Sequence, residues 1–286
     1  MGGMVGGVVG RVVDGLHVTR LGPRDRPPTV VLHGGGPGCH AAADFAAVLA
    51  LRPDRPWLLV DLPRYGGAPL PAPAGTGPEL PPGRFSGPAA ALGALLDRLG
   101  LHGVDVLAQS LGGAVALALA ARRPPHVGRI VLVGSTPAAF PGTAADPGLG
   151  PRLRDALYAD PGPTTMRALM EGAEWHTGRP SAELVAARLR AATTDVALAV
   201  ATDPAARGAD EDLGDVLGEV TAPVLAVWGA HDPFAGPDYG AALAAALPHG
   251  DLTVLARTAH HPQSERPEAV AALVDAFLPV PHRSAA

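Results

Sequence analysis

The sequence predicts an α/β fold: a mostly parallel central sheet flanked by helices, carrying a helical cap insertion. Three observations predict it. Short, continuous apolar runs recur, such as Thr29-Val30-Val31-Leu32, Trp57-Leu58-Leu59-Val60 and Val224-Leu225-Ala226-Val227-Trp228, as expected of strands buried on both faces. Segments of helical length alternate with these runs, which implies parallel strands joined by crossover helices. The alternation stops at Ser135-Thr136-Pro137 and resumes near Pro223, so the stretch between reads as an insertion. The expected division is therefore 1–136 and 219–286 for the two parts of the core, with 137–218 as the cap.

In chain order, Val12-Val13-Asp14-Gly15 and Leu16-His17-Val18-Thr19 read as a short hairpin. The run Thr29 to Leu32 is a buried strand that empties into His33-Gly34-Gly35-Gly36-Pro37-Gly38. A helix is expected from Asp44 to Leu51, then a strand from Trp57 to Val60 ending at Asp61-Leu62-Pro63-Arg64-Tyr65-Gly66-Gly67. A Pro/Gly-rich loop occupies 68–87. There follow a helix from Ala89 to Leu99, a strand leading into Ser110, a small-residue helix and a strand from Arg129 to Val133. The middle segment is helical, with interspersed Arg, Met and aromatic residues. Strands return at Pro223 to Trp228 and Leu252 to Leu255, and a helix from Pro267 to Leu278 closes the core. The stretch 280–286 is expected to fray.

Composition narrows the chemistry. The 286 residues are 47% hydrophobic and 17% charged with a formal net charge of -5, which supports a sizeable core and gives no electrostatic reason to bind nucleic acid. All 22 basic residues are arginine; with no lysine, the chain cannot form a Schiff base or supply a P-loop lysine. The lone Cys39 excludes an internal disulfide and fits a reducing, cytoplasmic compartment. The glycine-rich N-terminus lacks the basic region and cleavage site of a signal peptide, and no apolar stretch has the length of a membrane span. The expected partner is a small-molecule substrate, without nucleic acid, membrane, metal or cofactor; a homo-oligomer is left open.

Four segments carry chemistry. Val106-Leu107-Ala108-Gln109-Ser110-Leu111-Gly112-Gly113 reads as strand, sharp turn and helix with a hydroxyl at the turn, the context of a nucleophile elbow. An unassisted serine is a weak nucleophile and needs a base. At the helix N-terminus the Leu111 amide would point at a developing oxyanion. Gly34-Gly35-Gly36, after a central strand, offers further amides for that hole. The rival phosphate-binding spacing fails, because its third glycine falls at Cys39. Asp232, in Trp228-Gly229-Ala230-His231-Asp232-Pro233, follows a strand and suits the group that orients an imidazole; the alternative position after the Ile130 strand offers Ser135 and no carboxylate. His260 follows the last strand as the base, with His261 its competitor. A histidine pair also suggests metal, but no carboxylate or cysteine cluster stands at ligand spacing around it. His17, His102, His126 and His249 lie at element edges and read as structural or solvated, and Cys39 reads as a packed loop residue.

The order Ser110, Asp232, His260 and the strand–turn–helix context resemble the α/β-hydrolase superfamily. Within it the details resemble the meta-cleavage product hydrolases, which hydrolyse a carbon–carbon bond in 2-hydroxy-6-oxo-dienoates from aromatic degradation. HGGGPG at 33–38 is similar to that family's oxyanion segment, AQSLGG to its G-N-S-x-G-G elbow and HHPQSE at 260–265 to its H-W-x-Q-W-E. Glu183 to Leu189 resembles the cap segment whose arginine binds the substrate carboxylate, and that role falls on Arg188. The resemblance implies a serine hydrolase in which Arg188 anchors the substrate, His260 relays protons, and Ser110 attacks the carbonyl or activates water. Four positions depart from the pattern. Gln109 replaces an Asn that touches the dienoate, and His261 replaces a Trp that lines the pocket. Arg64 replaces a glycine in the Asp61 loop. Asp44 replaces an Asn near the substrate carboxylate, where a fixed negative charge would repel an anion. These departures keep open a carboxylesterase or lactonase acting on a neutral ester, and a biosynthetic cyclase or lyase. An iminopeptidase shares an H-G-G-P-G form, but the expected tryptophan is missing from the elbow.

Overall fold

A computed structural model of the chain describes residues 10–69, 83–143, 145–175, 180–203 and 208–278. The N-terminal stretch 1–9, most of the loop 68–87 and the end at 280–286 lie outside the described residues.

The chain opens with the antiparallel strands β1 (Arg11–Val13) and β2 (Leu16–Leu21), followed by β3 (Thr29–Leu32). Helices α1 (Ala41–Asp44) and α2 (Ala46–Leu51) precede β4 (Trp57–Asp61). Next come α3 (Ser86–Leu99), β5 (Val104–Gln109), α4 (Leu111–Arg122) and β6 (Val127–Val133). Four helices follow with no sheet strand between them: α5 (Leu149–Ala159), α6 (Pro163–Glu171), α7 (Ala182–Ala192) and α8 (Asp195–Thr202). The core resumes with β7 (Val224–Gly229), α9 (Pro237–Ala246), β8 (Gly250–Leu255), α10 (Pro262–Glu265) and α11 (Pro267–Phe277). Among the described residues no helix is long and apolar enough to cross a membrane.

The strands form one eight-stranded sheet in the order β1-β2-β4-β3-β5-β6-β7-β8, parallel except at β1 and β2. Residues alternate between its faces, as the pleat requires. Val30, Leu32, Val106, Ile130 and Leu132 pack against α3, α4 and α9. Val31, Leu107, Val131, Val133 and Val227 pack against α2 and α11. Both faces being covered explains why the strands read as unbroken apolar runs. Helices α5, α6 and α7 bury a separate cluster of Leu157, Met166, Leu169, Met170, Val185 and Ala192, so the insertion has an apolar centre of its own.

Several boundaries differ from the sequence reading, including β6 and β8, which each begin two residues earlier than expected. The helix expected from Asp44 to Leu51 is two short helices broken at Phe45, and Asp44 ends the first of them. The helix expected from Ala89 begins at Ser86, with Pro88 in its first turn, where a missing N–H costs nothing. The segment after His260 contains α10, which begins on Pro262.

Helix α4 lies against the sheet so closely that the Gly112 amide donates to the His33 carbonyl at 3.0 Å. A Cβ on Gly112 would stand 2.7 Å from that oxygen and from Leu32 Cβ, both in the rigid core. Helix propensity favours alanine here by about 1 kcal/mol, but overpacking costs about 1–3 kcal/mol. Gly112→Ala is therefore expected to destabilise the fold, read as a lower denaturation midpoint at unchanged m-value; a higher midpoint would refute the close approach.

Candidate active site

The site is built at the carboxyl ends of the central strands, where ligands bind in open α/β sheets. At the end of β5 the chain reverses on Ser110, whose backbone is left-handed at φ +47° and ψ -113°. Such a conformation in a non-glycine residue costs of order 1–3 kcal/mol. Hydrogen bonds to its backbone hold it. The Ser110 amide donates to Val133 at 2.9 Å, the Ser135 hydroxyl donates to the Ser110 carbonyl at 2.7 Å, and the Gly113 amide donates to that same carbonyl at 3.0 Å. The reversal leaves Ser110 partly exposed although β5 before it and α4 after it are buried.

His260 and Asp232 meet from the loops after β8 and β7. Nδ1 of His260 lies 2.8 Å from Oδ2 of Asp232, and both side chains are buried. The other Asp232 oxygen accepts the Phe234 amide at 2.9 Å, which fixes the carboxylate plane. Gly134, at φ +51°, leaves the space the pair occupies: a Cβ there would lie 3.2 Å from both Asp232 Oδ2 and His260 Nδ1. The His260 amide donates to the Ala173 carbonyl in the helical insertion at 3.0 Å. Sequence reasoning assigned no role to Glu265. Its two oxygens accept the Ala259 and Trp175 amides at 2.7 and 2.8 Å, tying the His260 loop to the insertion. Its place in the terminal motif was the available signal.

The glycine loop after β3 is held from beneath. His33 is fully buried; Nε2 accepts the Leu62 amide at 2.9 Å and Nδ1 donates to the Gly34 carbonyl at 2.6 Å. Both nitrogens are thus used by the neutral ring, in keeping with a pKa lowered by burial. Gly34 donates its amide to Asp44 at 3.0 Å, so it has no free N–H for a ligand. Gly35 is different. Its carbonyl is pinned by the Tyr65 hydroxyl at 3.1 Å, and a Cβ on it would touch Leu111 at 3.2 Å. Among the described residues neither the Gly35 nor the Leu111 amide has a backbone acceptor outside regular helix and strand bonding, and the two residues lie in contact, Leu111 directly following Ser110.

The residues singled out by the departures are placed as follows. Asp44 does not stand as an isolated negative charge. Its side chain is buried, Oδ2 accepts the Gly34 amide, and Oδ1 lies 3.4 Å from Arg188 Nη1. The expected repulsion of an anion is thereby cancelled by the adjacent guanidinium. Arg188 also donates through Nε to the Pro37 carbonyl at 3.0 Å and through Nη2 to Cys39 Sγ at 2.7 Å. Burial pushes the Cys39 thiol up to about 12, so it stays protonated. Gln109 is buried, and its amide donates to the His260 carbonyl at 3.4 Å. His261 is largely buried, with Nδ1 3.9 Å from Glu174. Burial, then the nearby His260 and Arg188, holds its pKa well below the usual histidine value.

At the opposite, amino edge of the sheet, Asp97, His102 and His126 bring one potential ligand atom each within 4.8 Å of the others. Asp97 there is already paired with His126 at 2.7 Å and Arg123 at 2.9 Å.

A family described as the alpha/beta hydrolase fold matches residues 28–267. A 2-hydroxy-6-oxononadienedioate/2-hydroxy-6-oxononatrienedioate hydrolase of Cupriavidus pinatubonensis is 31% identical over 257 residues, 87% of this chain and 86% of that protein. A protein of the same description from Pseudomonas putida is 30% identical, over 92% and 91% of the two chains. Among solved structures, 2-hydroxy-6-oxo-6-phenylhexa-2,4-dienoate hydrolase from Rhodococcus sp. strain RHA1 superposes with a TM-score of 0.80 at 25% identity, covering 95% of this chain and 99% of that one.

His33 and His261 also set an acid limit. Both have folded-state pKa values below the 6.5 of a free histidine. Between those values and 6.5 the unfolded chain binds more protons than the folded one, so stability falls as pH drops below about 6.5. Each group contributes a slope of up to about 1.4 kcal/mol per pH unit. His261→Gln is expected to make the acid limb of a plot of unfolding free energy against pH shallower by up to one proton. An unchanged limb would show that His261 titrates normally.

Proposed function

The chain belongs to the α/β-hydrolase fold family, and we propose that it is a serine-type hydrolase that cleaves a carbon–carbon bond in a 2-hydroxy-6-oxo-dienoate or a related ketone. The carrying observation is the conjunction of a strained Ser110 elbow, the Gly35 and Leu111 amides without a backbone acceptor among the described residues, and a buried His260–Asp232 pair at 2.8 Å. The relatives named for dienoate hydrolysis support the substrate class. The Asp232 carboxylate holds His260 with Nδ1 protonated and Nε2 free to accept. Ser110 Oγ bonds the ketone carbon as its proton passes to His260, and the oxyanion is held by the Leu111 and Gly35 amides. The carbon–carbon bond then breaks, the carbon fragment leaves with the proton from His260, and water releases the acyl group as a carboxylic acid. Arg188, three of whose five N–H donors go to Pro37, Asp44 and Cys39, is assigned to holding the glycine loop. A single buried cysteine supports a cytoplasmic setting.

The Asp44–Arg188 pair favours a second reading, an esterase or lactonase acting on a neutral substrate, because it leaves the expected carboxylate anchor neutralised. A paired assay decides between them. Purified protein is given a chromogenic 2-hydroxy-6-oxo-dienoate in one well and a p-nitrophenyl ester in the other, with Ser110→Ala as control. The expected result is dienoate bleaching well above ester turnover, lost at least about 10³-fold in Ser110→Ala. Serine-dependent ester cleavage with the dienoate untouched would move the protein to the second reading. An isomeric product with no water added would indicate a cyclase.

A further inference from the structure

Beside the glycine loop lies a cleft, part of it open to solvent, whose wall includes Gly35 and Leu111. Its lining carries three arginines, Arg64, Arg84 and Arg154, and not one aspartate or glutamate among the described residues. We propose that this cleft is an anion subsite, in which the three guanidiniums take a carboxylate at the end of the substrate remote from the scissile carbonyl. The proposal rests on the hydrolase reading for the position of that carbonyl, which the Gly35 and Leu111 amides would hold at the inner wall.

Arg64 carries the argument furthest. It sits in the Asp61 loop at φ +76°, a left-handed conformation that favours glycine. An arginine is thus held where a glycine would be unstrained. Its Nε is buried without an acceptor among the described residues. A buried donor left unmade is expensive, and a bound acceptor would satisfy it. Arg154 pairs with Asp155 at 3.0 Å, but that carboxylate is 69% exposed, so the pair is solvated and weak. Arg84 is exposed at the same cleft and lies 5.9 Å from the Phe85 ring. The other arginine near the site, Arg188, faces the buried Asp44 and donates to Pro37 and Cys39, which uses three of its five N–H groups. Near the site, the arginines that face no buried carboxylate among the described residues line the outer cleft. Guanidinium groups recognise carboxylates through paired hydrogen bonds, and partial burial strengthens the attraction.

The test has two arms. In the first, KM and kcat are measured for a dienoate with a terminal carboxylate and for its terminal methyl ester, in the unmodified protein, Arg64→Gln, Arg154→Gln and Arg64→Lys. The acid is expected to have the lower KM. Arg64→Gln and Arg154→Gln raise that KM by about tenfold or more and remove the preference over the ester, while Arg64→Lys keeps part of it. In the second arm glutarate is titrated calorimetrically into the unmodified protein and Arg64→Gln, with no turnover required. Binding that weakens in the variant and with added salt supports the subsite. If both dienoates are hydrolysed with equal KM, or if Arg64→Gln raises both KM values alike, the subsite is refuted and the hydrolase reading stands. If neither dienoate is cleaved but glutarate binds through Arg64, the carbon–carbon reading falls and the anion subsite stands. Absence of glutarate binding to the unmodified protein overturns the proposal.

Discussion

The chain reverses direction on a residue that has a side chain, and the other parts of the site are arranged around that reversal. A left-handed serine survives only where its surroundings leave no alternative. Here β5 is fixed between β3 and β6, α4 is pressed onto the sheet through Gly112 and Gly113, and Ser135 holds the Ser110 carbonyl. Each hydrogen bond contributes roughly 1 kcal/mol, enough together to offset strain of similar size. The reward is geometric. Ser110 emerges from the buried core, and the first amide of α4 has no backbone acceptor among the described residues.

Charge inside the site follows one rule: each buried carboxylate is matched. Asp232 faces His260, Asp44 faces Arg188 and the Gly34 amide, and Glu265 accepts two backbone amides. Asp61 is bonded to His17 and to the Ala41 and Gly67 amides. A buried carboxylate without such partners would be protonated or would destabilise the fold. The same rule shapes substrate recognition. It pairs Arg188 with Asp44 at the glycine loop and leaves the arginines of the outer cleft without buried carboxylate partners among the described residues.

The strands and the elbow were legible because burial on both faces writes itself as unbroken apolar runs, and because a hydroxyl between such a run and a glycine-rich helix has few other uses. The Ser110, Asp232 and His260 positions followed from their places after strands. Pairings across long separations were hidden. Asp44 and Arg188 are 144 residues apart, and nothing local to either one announces the other. Asp44 read alone implied repulsion, which its partner cancels. Helix boundaries were blurred where Gly87 and Pro88 open α3 and where Phe45 divides α1 from α2. Arg64 was visible in the sequence as a departure from the resemblance, but its meeting with Arg84 and Arg154 along one cleft appears only in three dimensions.

The claim on which the account rests is that the Ser110 hydroxyl is the activated nucleophile. Cleavage after arginine yields a peptide from Leu99 to Arg122 in which Ser110 is the only serine. The most direct measurement is therefore labelling with an alkyl fluorophosphonate, followed by peptide mass spectrometry of the unmodified protein and of His260→Ala. The account predicts one adduct per chain, confined to that peptide, with labelling strongly slowed in His260→Ala. An adduct on any other peptide with this one unmodified, or labelling indifferent to His260, would contradict it.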